Sequence, residues 1–468
     1  MKLKKFLLIS LCAMMLFAAA CGTADQDEGF NIDWSSDMSG GVDLGGYEAV
    51  VLQSNTNVET IFSYVENTTF SDLVLQKIAQ VEDKLHCKVT LTKPQSYNAS
   101  NLFMSIIASI NVGDIFFGEV HNFKYSNLFE PLTGLEDIID YTNTEKWGNV
   151  SIMESLLING EPYGVTPTYW PYMEPSVCYV MLSNDRLVRE FGMTDPREHY
   201  ESNTWTWDTF INYVENCTDL NRGIFSVALQ PSNLIKIAIL SNGVSYLTED
   251  SNGNIVGNLY TDATLEAIQW AQDFYNNYSD KLHTTWPTFY GSWEAISEPF
   301  INKEAVFNMT NTAMTINYVS YQMDEPFAIL PFPRGPKAAD GYWGGILEGN
   351  NAAGILLNSK DVIANAYIID ELFTPLEGYE TKEDRMSYYL TQLVFNRQDA
   401  EILFGIDGNA LYSYWPVGAD GDFWNKLNSS LLSLTPIEML DRYYPVFETI
   451  IDEYIRPNYD YVKEQKSK

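Results

Sequence analysis

The sequence predicts an α/β body with largely parallel strands, and three observations carry the prediction. Segments with helical spacing of apolar residues alternate with short β-branched or aromatic runs along most of the chain. At 468 residues the chain exceeds one ordinary domain, so two or three are expected. A composition of 46% hydrophobic and 14% aromatic residues can fill cores of that size.

Taken in order, residues 70–85 (FSDLVLQKIAQVEDKL) space Phe70, Leu73, Val74, Ile78, Val81 and Leu85 mostly three and four apart. That predicts an amphipathic helix, with Ser71 as its cap. CKVTL (87–91) reads as a strand. LFMSIIASI (102–110) reads as a helix stopped by Gly113, and Asp114 to Phe117 as the next strand. Further on, Thr206 caps a helix with Asp208 in its first turn, where the helix dipole favours an anion. SYLTEDSNGNIV predicts a hairpin about Asn252-Gly253. Thr261 caps DATLEAIQWAQDFYNNY, whose Leu265, Ile268, Ala271, Tyr275 and Tyr278 share a face. From residue 358 the chain reads as mostly helical, and no internal repeat is seen.

The N-terminus has Lys2, Lys4 and Lys5, an apolar run from Phe6 to Phe17, then small residues. That is the pattern of a secretory signal peptide over 1–20, shorter than a comfortable membrane span. Ala18-Ala19-Ala20-Cys21 resembles the bacterial lipobox, with Ala18 where Leu is usual. The resemblance implies lipidation of Cys21 and a mature chain that starts there. Residues 21–46, rich in Gly, Ser and Asp, read as a flexible tether.

Asp and Glu number 62 against 28 Lys and Arg, a net charge of −34. Phosphate binding needs basic surface, so the balance argues against a nucleic-acid partner. Cys87, Cys178 and Cys217 are scattered, and buried thiols are expected rather than a disulfide framework or a zinc ribbon. GxSxG, HExxH, P-loop and GxGxxG motifs are absent, and His86, His121, His199 and His283 lie far apart. No metal or cofactor is implied. A glycosidase needs two placed carboxylates, and among so many acids the sequence singles out no pair.

NGEPYGVTPTYWPYM (159–173) poses the sharpest question, because four rings sit among three prolines and two glycines. Neither helical nor alternating patterning fits it. With its continuation to Leu187, it resembles the G-x-x-YG-[VI]-P segment of the extracellular solute-binding proteins of bacterial ABC importers, family 1, the carbohydrate-binding group. WTWDTF (205–210) resembles that family's W-T-W-D-E-F, and ILSNGVSYLTEDSNGN (239–254) its S-N-G-G hairpin. FINKEAVFNMTNTAM (300–314) resembles F-x-x-G-K-A-A-M, with Lys303-Glu304 in place of Gly-Lys. FAILPFPRGP (327–336) resembles L-P-x-P-x-G-P, and FGIDGNALY (404–412) the Y-G-I-E-G-x-x-Y of the LplA-like branch.

The resemblance implies a two-lobed, type II periplasmic-binding-protein-like fold with the ligand in an interlobe cleft. It places one lobe at 47–172 with 345–408 and the other at 177–343 with 409–460. It also implies a non-catalytic, monomeric receptor on the outer face of the bacterial cytoplasmic membrane. That receptor would deliver a carbohydrate, an oligosaccharide by expectation, to ABC importer membrane subunits. A surface glycan hydrolase, and the same fold with a peptide or cationic ligand, stand as alternatives. Sugars present apolar faces to rings and hydroxyls to amides and carboxylates. The expected ligand residues are therefore Tyr169, Trp170 and Tyr172 near the first crossing, and Glu119 and His121 after a strand. Asn233 and Asn311 are expected at loops of the second lobe, Trp343 on the second crossing and Asp407 in the FGIDG turn. Trp205 and Trp207 are expected to anchor their helix to the core.

Overall fold

The computed structural model describes residues 41–55, 57–97, 99–148, 153–154, 156–171, 179–229, 231–283, 293–310, 313–338, 341–345, 351–409 and 421–466. Its strands, in chain order, are β1 (Glu48–Gln53), β2 (Thr60–Ile61), β3 (Tyr64–Val65), β4 (Lys88–Leu91), β5 (Ile115–Glu119), β6 (Leu157–Ile158), β7 (Glu161–Pro162), β8 (Val180–Asn184) and β9 (Phe225–Leu229). They continue with β10 (Leu247–Glu249), β11 (Ile255–Gly257), β12 (Leu282–His283), β13 (Ala305–Thr310), β14 (Phe327–Pro331), β15 (Trp343–Gly345), β16 (Asn351–Ile355) and β17 (Asp407–Asn409).

Two sheets organise the molecule. The first has the order β16-β5-β1-β4 and the second β12-β9-β13-β8-β14. Strands β4, β1 and β5 run parallel, as do β12, β9 and β13. The antiparallel members are β16, where the chain returns to the first sheet, and β8, the first strand of the second. The expected parallel order thus holds in β4-β1-β5 and β12-β9-β13 and is broken at these two strands.

Local sequence explains the helices on these sheets. Helix Thr69–Leu85 is capped by Thr68, one turn earlier than the expected Ser71. Ser71 has the reciprocal place in a capping box, its hydroxyl bonding the Thr68 backbone. Thr206 and Thr261 cap their helices as expected, through the amides of Thr209 and Thr264. Asp114 is fully buried ahead of β5, where its carboxylate accepts the amides of Val50 and Lys360 and ties β1 to the segment after β16.

In the second lobe Trp205 and Trp207 are buried and anchor their helix. Their ring nitrogens donate to the Pro331 carbonyl and the Ser241 hydroxyl, and Trp207 stacks on Trp270 at 4.5 Å. Arg197 is 3% exposed and held by three carboxylates, those of Asp399, Asp185 and Asp195. Asp399 grips it with both oxygens at 2.7 and 2.9 Å and also accepts the Ile329 amide of β14. Helix Arg397–Gly405, inside the stretch expected to belong to the first lobe, is thereby fastened to β14 of the second sheet. Cys87 and Cys217 are buried free thiols, pushed up to about 11 and about 12 by burial, and Cys178 lies outside the described residues.

Candidate functional site

Open α/β sheets bind ligands beyond the carboxyl ends of their strands. In the first lobe those ends are marked by Gln53 on β1 and Glu119 on β5, with Asn351 at the start of β16 paired to Glu119. Glu119 is partly exposed. A polar cluster forms at this edge. Ser63 accepts hydrogen bonds from the side-chain amides of Asn55 at 3.3 Å and Asn351 at 3.1 Å. The Phe62-Ser63 turn between β2 and β3 has φ of 46° and 71°, the left-handed region that non-glycine residues rarely adopt. Burial over-determines it. The Phe62 ring is fully buried, edge-on to Phe117, Trp170 and Phe373, and its amide donates to the Gln53 side chain at 2.7 Å. Strain held this way is common where a fold presents a polar group to a ligand.

Sequence reasoning missed Asn55, Ser63 and Asn351. The amide-rich run after the apolar strand EAVVLQ was a usable signal for Asn55. Asn351 is found only through its register with Glu119.

The aromatic stretch resolves into separate jobs. Val165 bridges Ala353 of β16, and Gly164 lies so close that a Cβ there would meet the Phe123 ring at 2.7 Å and the Ala353 carbonyl at 3.0 Å. Thr168 donates to the Lys146 carbonyl at 2.8 Å, laying the segment across the first lobe. Trp170, expected to meet a ligand, is 0% exposed. Its ring nitrogen donates to the Thr374 carbonyl at 3.1 Å, and its ring packs on Phe62, Tyr64 and Phe373. Trp170 is therefore a brace in this conformation, because no face of it is open to solvent. Tyr169 keeps a partly exposed ring, over which the buried Arg385 guanidinium sits at 5.0 Å.

In the second lobe, Asn233 is partly exposed in the first turn of helix Pro231–Ser241, just beyond the end of β9. That helix lies against β15, and β15 pairs in parallel with β17, register Trp343 to Asp407. Three expected residues from distant parts of the sequence therefore share contacting elements. Trp343 is partly exposed, with glycines at 341, 344 and 345 around it. His121 lies on the short 3-10 helix Val120–Lys124 directly after β5, with its side chain outside the description, as is that of Asp407. Tyr172 and Asn311 lie outside the described residues. Among the described residues, no group of three or more His, Cys, Asp or Glu is placed to hold a metal ion, and no helix is long and apolar enough to cross a membrane.

No protein-family model and no curated protein matches the sequence. Solved structures do match its fold. A cyclo/maltodextrin-binding protein complexed with maltotetraose aligns with a TM-score of 0.60 at 12% identity, over 87% of this chain and 97% of that one. A cyclic α-maltosyl-1,6-maltose binding protein from Arthrobacter globiformis aligns with a TM-score of 0.60 at 14% identity, over 88% and 100%. The sugar-binding protein MalE from Xanthomonas citri aligns with a TM-score of 0.58 at 12% identity, over 89% and 99%. The chain thus has the α/β, two-lobed type II periplasmic-binding-protein fold. These likenesses do not single out an LplA-like branch.

Proposed function

We propose that this chain is a receptor that captures a carbohydrate between its two lobes and hands it to the membrane subunits of an ABC importer, without turning it over. The supporting observation is the type II fold itself. It is shared over nearly the whole length of structures described as sugar-binding, one of them holding maltotetraose. The residues at the strand ends suit such a ligand. Glu119, Asn55, Ser63 and Asn351 line up hydrogen-bonding groups on one sheet edge, while Asn233, Trp343 and Asp407 gather at the other lobe. Amides and carboxylates match sugar hydroxyls, and the indole covers an apolar sugar face.

In this reading the ligand is an oligosaccharide and the receptor works as a monomer. Cys21 carries a lipid anchor that holds it on the extracellular side of the membrane. The lobes divide as the sequence suggests, except that helix Arg397–Gly405 goes with the second. Closure about the crossings is the conformational change that the importer reads. The hydrolase alternative gains no support from the most conspicuous acids of the second lobe, since Asp185, Asp195 and Asp399 are committed to Arg197.

The test is a melting screen of the purified protein against linear and cyclic glycans, starting with maltotetraose, alongside peptides and polyamines. One glycan class is expected to raise the melting temperature, by about 2.7 kcal/mol of stability at roughly 100 times its Kd. Released product would overturn the receptor reading, and stabilisation by peptides or polyamines alone would overturn the sugar.

A further inference from the structure

Residues 436–466 form one helical rod in three pieces: helix Pro436–Ile450, a π-helical turn Ile451–Ile455, and helix Arg456–Lys466. Sequence explains the join. Pro457 has no N–H for the Glu453 carbonyl, and its ring crowds that carbonyl, so the ladder loosens one turn earlier.

The first piece belongs to the second lobe. It packs on helices Gly421–Ser430 and Asp262–Tyr278 and on β11. The Gln272 amide beneath it donates to the carbonyls of Leu431 and Leu434 at 2.7 and 2.6 Å. The π turn also rests on β11, and Lys463 donates to Asn254 of the β10–β11 hairpin at 2.6 Å.

The last piece also grips the first lobe. Ser126 donates its amide to the Asn458 side chain and its hydroxyl to the Asn458 carbonyl, each at 3.2 Å. Lys466 donates to the Asn159 carbonyl at 2.8 Å and pairs with Glu161 at 2.6 Å, both on the β6–β7 hairpin. That hairpin is bound to the first sheet, through Leu132 to the Pro162 carbonyl and Glu130 to the Ile355 carbonyl. Tyr459 and Val462 are buried, and the helix touches β6.

We propose that this rod is a strap that sets the angle between the lobes. It is anchored on the second lobe, latched to the first through Asn458 and Lys466, and flexes at the π turn. The idea rests on reading the interlobe cleft as one that closes, but its test needs no ligand. A hydrogen bond near 2.8 Å is lost when its ends move apart by about 1 Å. Rigid-body rotation of the lobes must therefore either break the latch or bend the rod, and the π turn is its weakest point. Added salt weakens the Lys466–Glu161 arm, because exposed charges are screened.

The experiment is small-angle X-ray scattering and hydrogen exchange on the ligand-free full chain, comparing wild type with an Asn458→Ala/Lys466→Ala variant. The variant is expected to change the interlobe distance distribution and to speed exchange in 456–466 at least about tenfold. High salt should move wild type in the same direction. Lys84→Ala, which removes an exposed pair with Glu371 inside the first lobe, is the control and should change neither. If the double variant does not fold, Ser126→Ala/Glu161→Gln weakens the latch from the first-lobe side, removing the Ser126 hydroxyl's bond to the Asn458 carbonyl and the Lys466–Glu161 ion pair. Scattering and exchange identical to wild type in a folded latch variant overturn the strap. A protein that binds no sugar leaves this result readable, so the two readings fail separately.

Discussion

Trp170 and Trp343 are both expected beside a chain crossing, and both rings sit among prolines or glycines in sequence. Folding separates them. Trp170 is closed in by Phe62, Tyr64 and Phe373, whereas Trp343 stays partly exposed on a three-residue strand. The difference lies in what comes in from elsewhere. The segment before Trp170 is bound down by Val165, Thr166 and Thr168, and Tyr64, the residue after the strained Phe62-Ser63 turn, donates its hydroxyl to the carbonyl of Trp170's neighbour Pro171 from 107 residues upstream. Trp343 is followed by Gly344 and Gly345, which have no side chains to cover a ring. An aromatic's position along the chain therefore says less about its role than the reach of the residues around it.

The largest expected effect is on Trp170. Trp170→Ala should cost about 3–5 kcal/mol in urea unfolding, as large-to-small changes in a packed core do. The folded fraction should keep its affinity for whichever glycan stabilises wild type. A variant that unfolds like wild type but no longer binds would reverse the assignment. Trp343→Ala should do the opposite. Calorimetry is expected to show affinity reduced about 30-fold, the range of a buried aromatic anchor, with a urea midpoint close to wild type. Unchanged affinity would remove Trp343 from the site.

A third prediction concerns charge. Lys124, on the 3-10 helix after β5, is 7% exposed, and its ammonium donates to the Leu157 carbonyl. Desolvation lowers its pKa to about 7, below its ordinary 10.5. The unfolded chain then binds more protons between those values. The stability linked to this lysine is present above pH 10.5 and is lost as the pH falls to about 7. Urea midpoints across that window should rise with pH in wild type and rise less in Lys124→Met. Equal slopes would show that the lysine is solvated in solution.

Much of this architecture was legible in the sequence because it is local. The caps Thr206 and Thr261 and the hairpin about Gly253 each follow from residues within a turn of one another. The first helix began one turn early because Ser71 and Thr68 cap reciprocally, and a lone serine does not reveal which of two neighbours leads. Asn159-Gly160, a strong hairpin signal in a stretch read only for its rings, forms the β6–β7 turn with φ of 50° and 75°. The candidate site was less legible because it is assembled from register. Trp343 meets Asp407, and Asn351 meets Glu119, across more than sixty and two hundred residues of chain respectively. The buried Arg197–Asp399 pair likewise fastens helix Arg397–Gly405 to β14 of the second sheet, which no local pattern announced.

Strand β16 carries a further consequence, for the order in which the protein can be built. It covers the outer edge of β5, yet it leaves the ribosome only after all five strands of the second sheet have emerged. Until then the first sheet ends in an unpaired row of backbone groups on a strand of Ile115, Phe116 and Phe117, the sort of edge that recruits other chains. A nascent chain with this topology gains by staying unfolded until residue 355 is free.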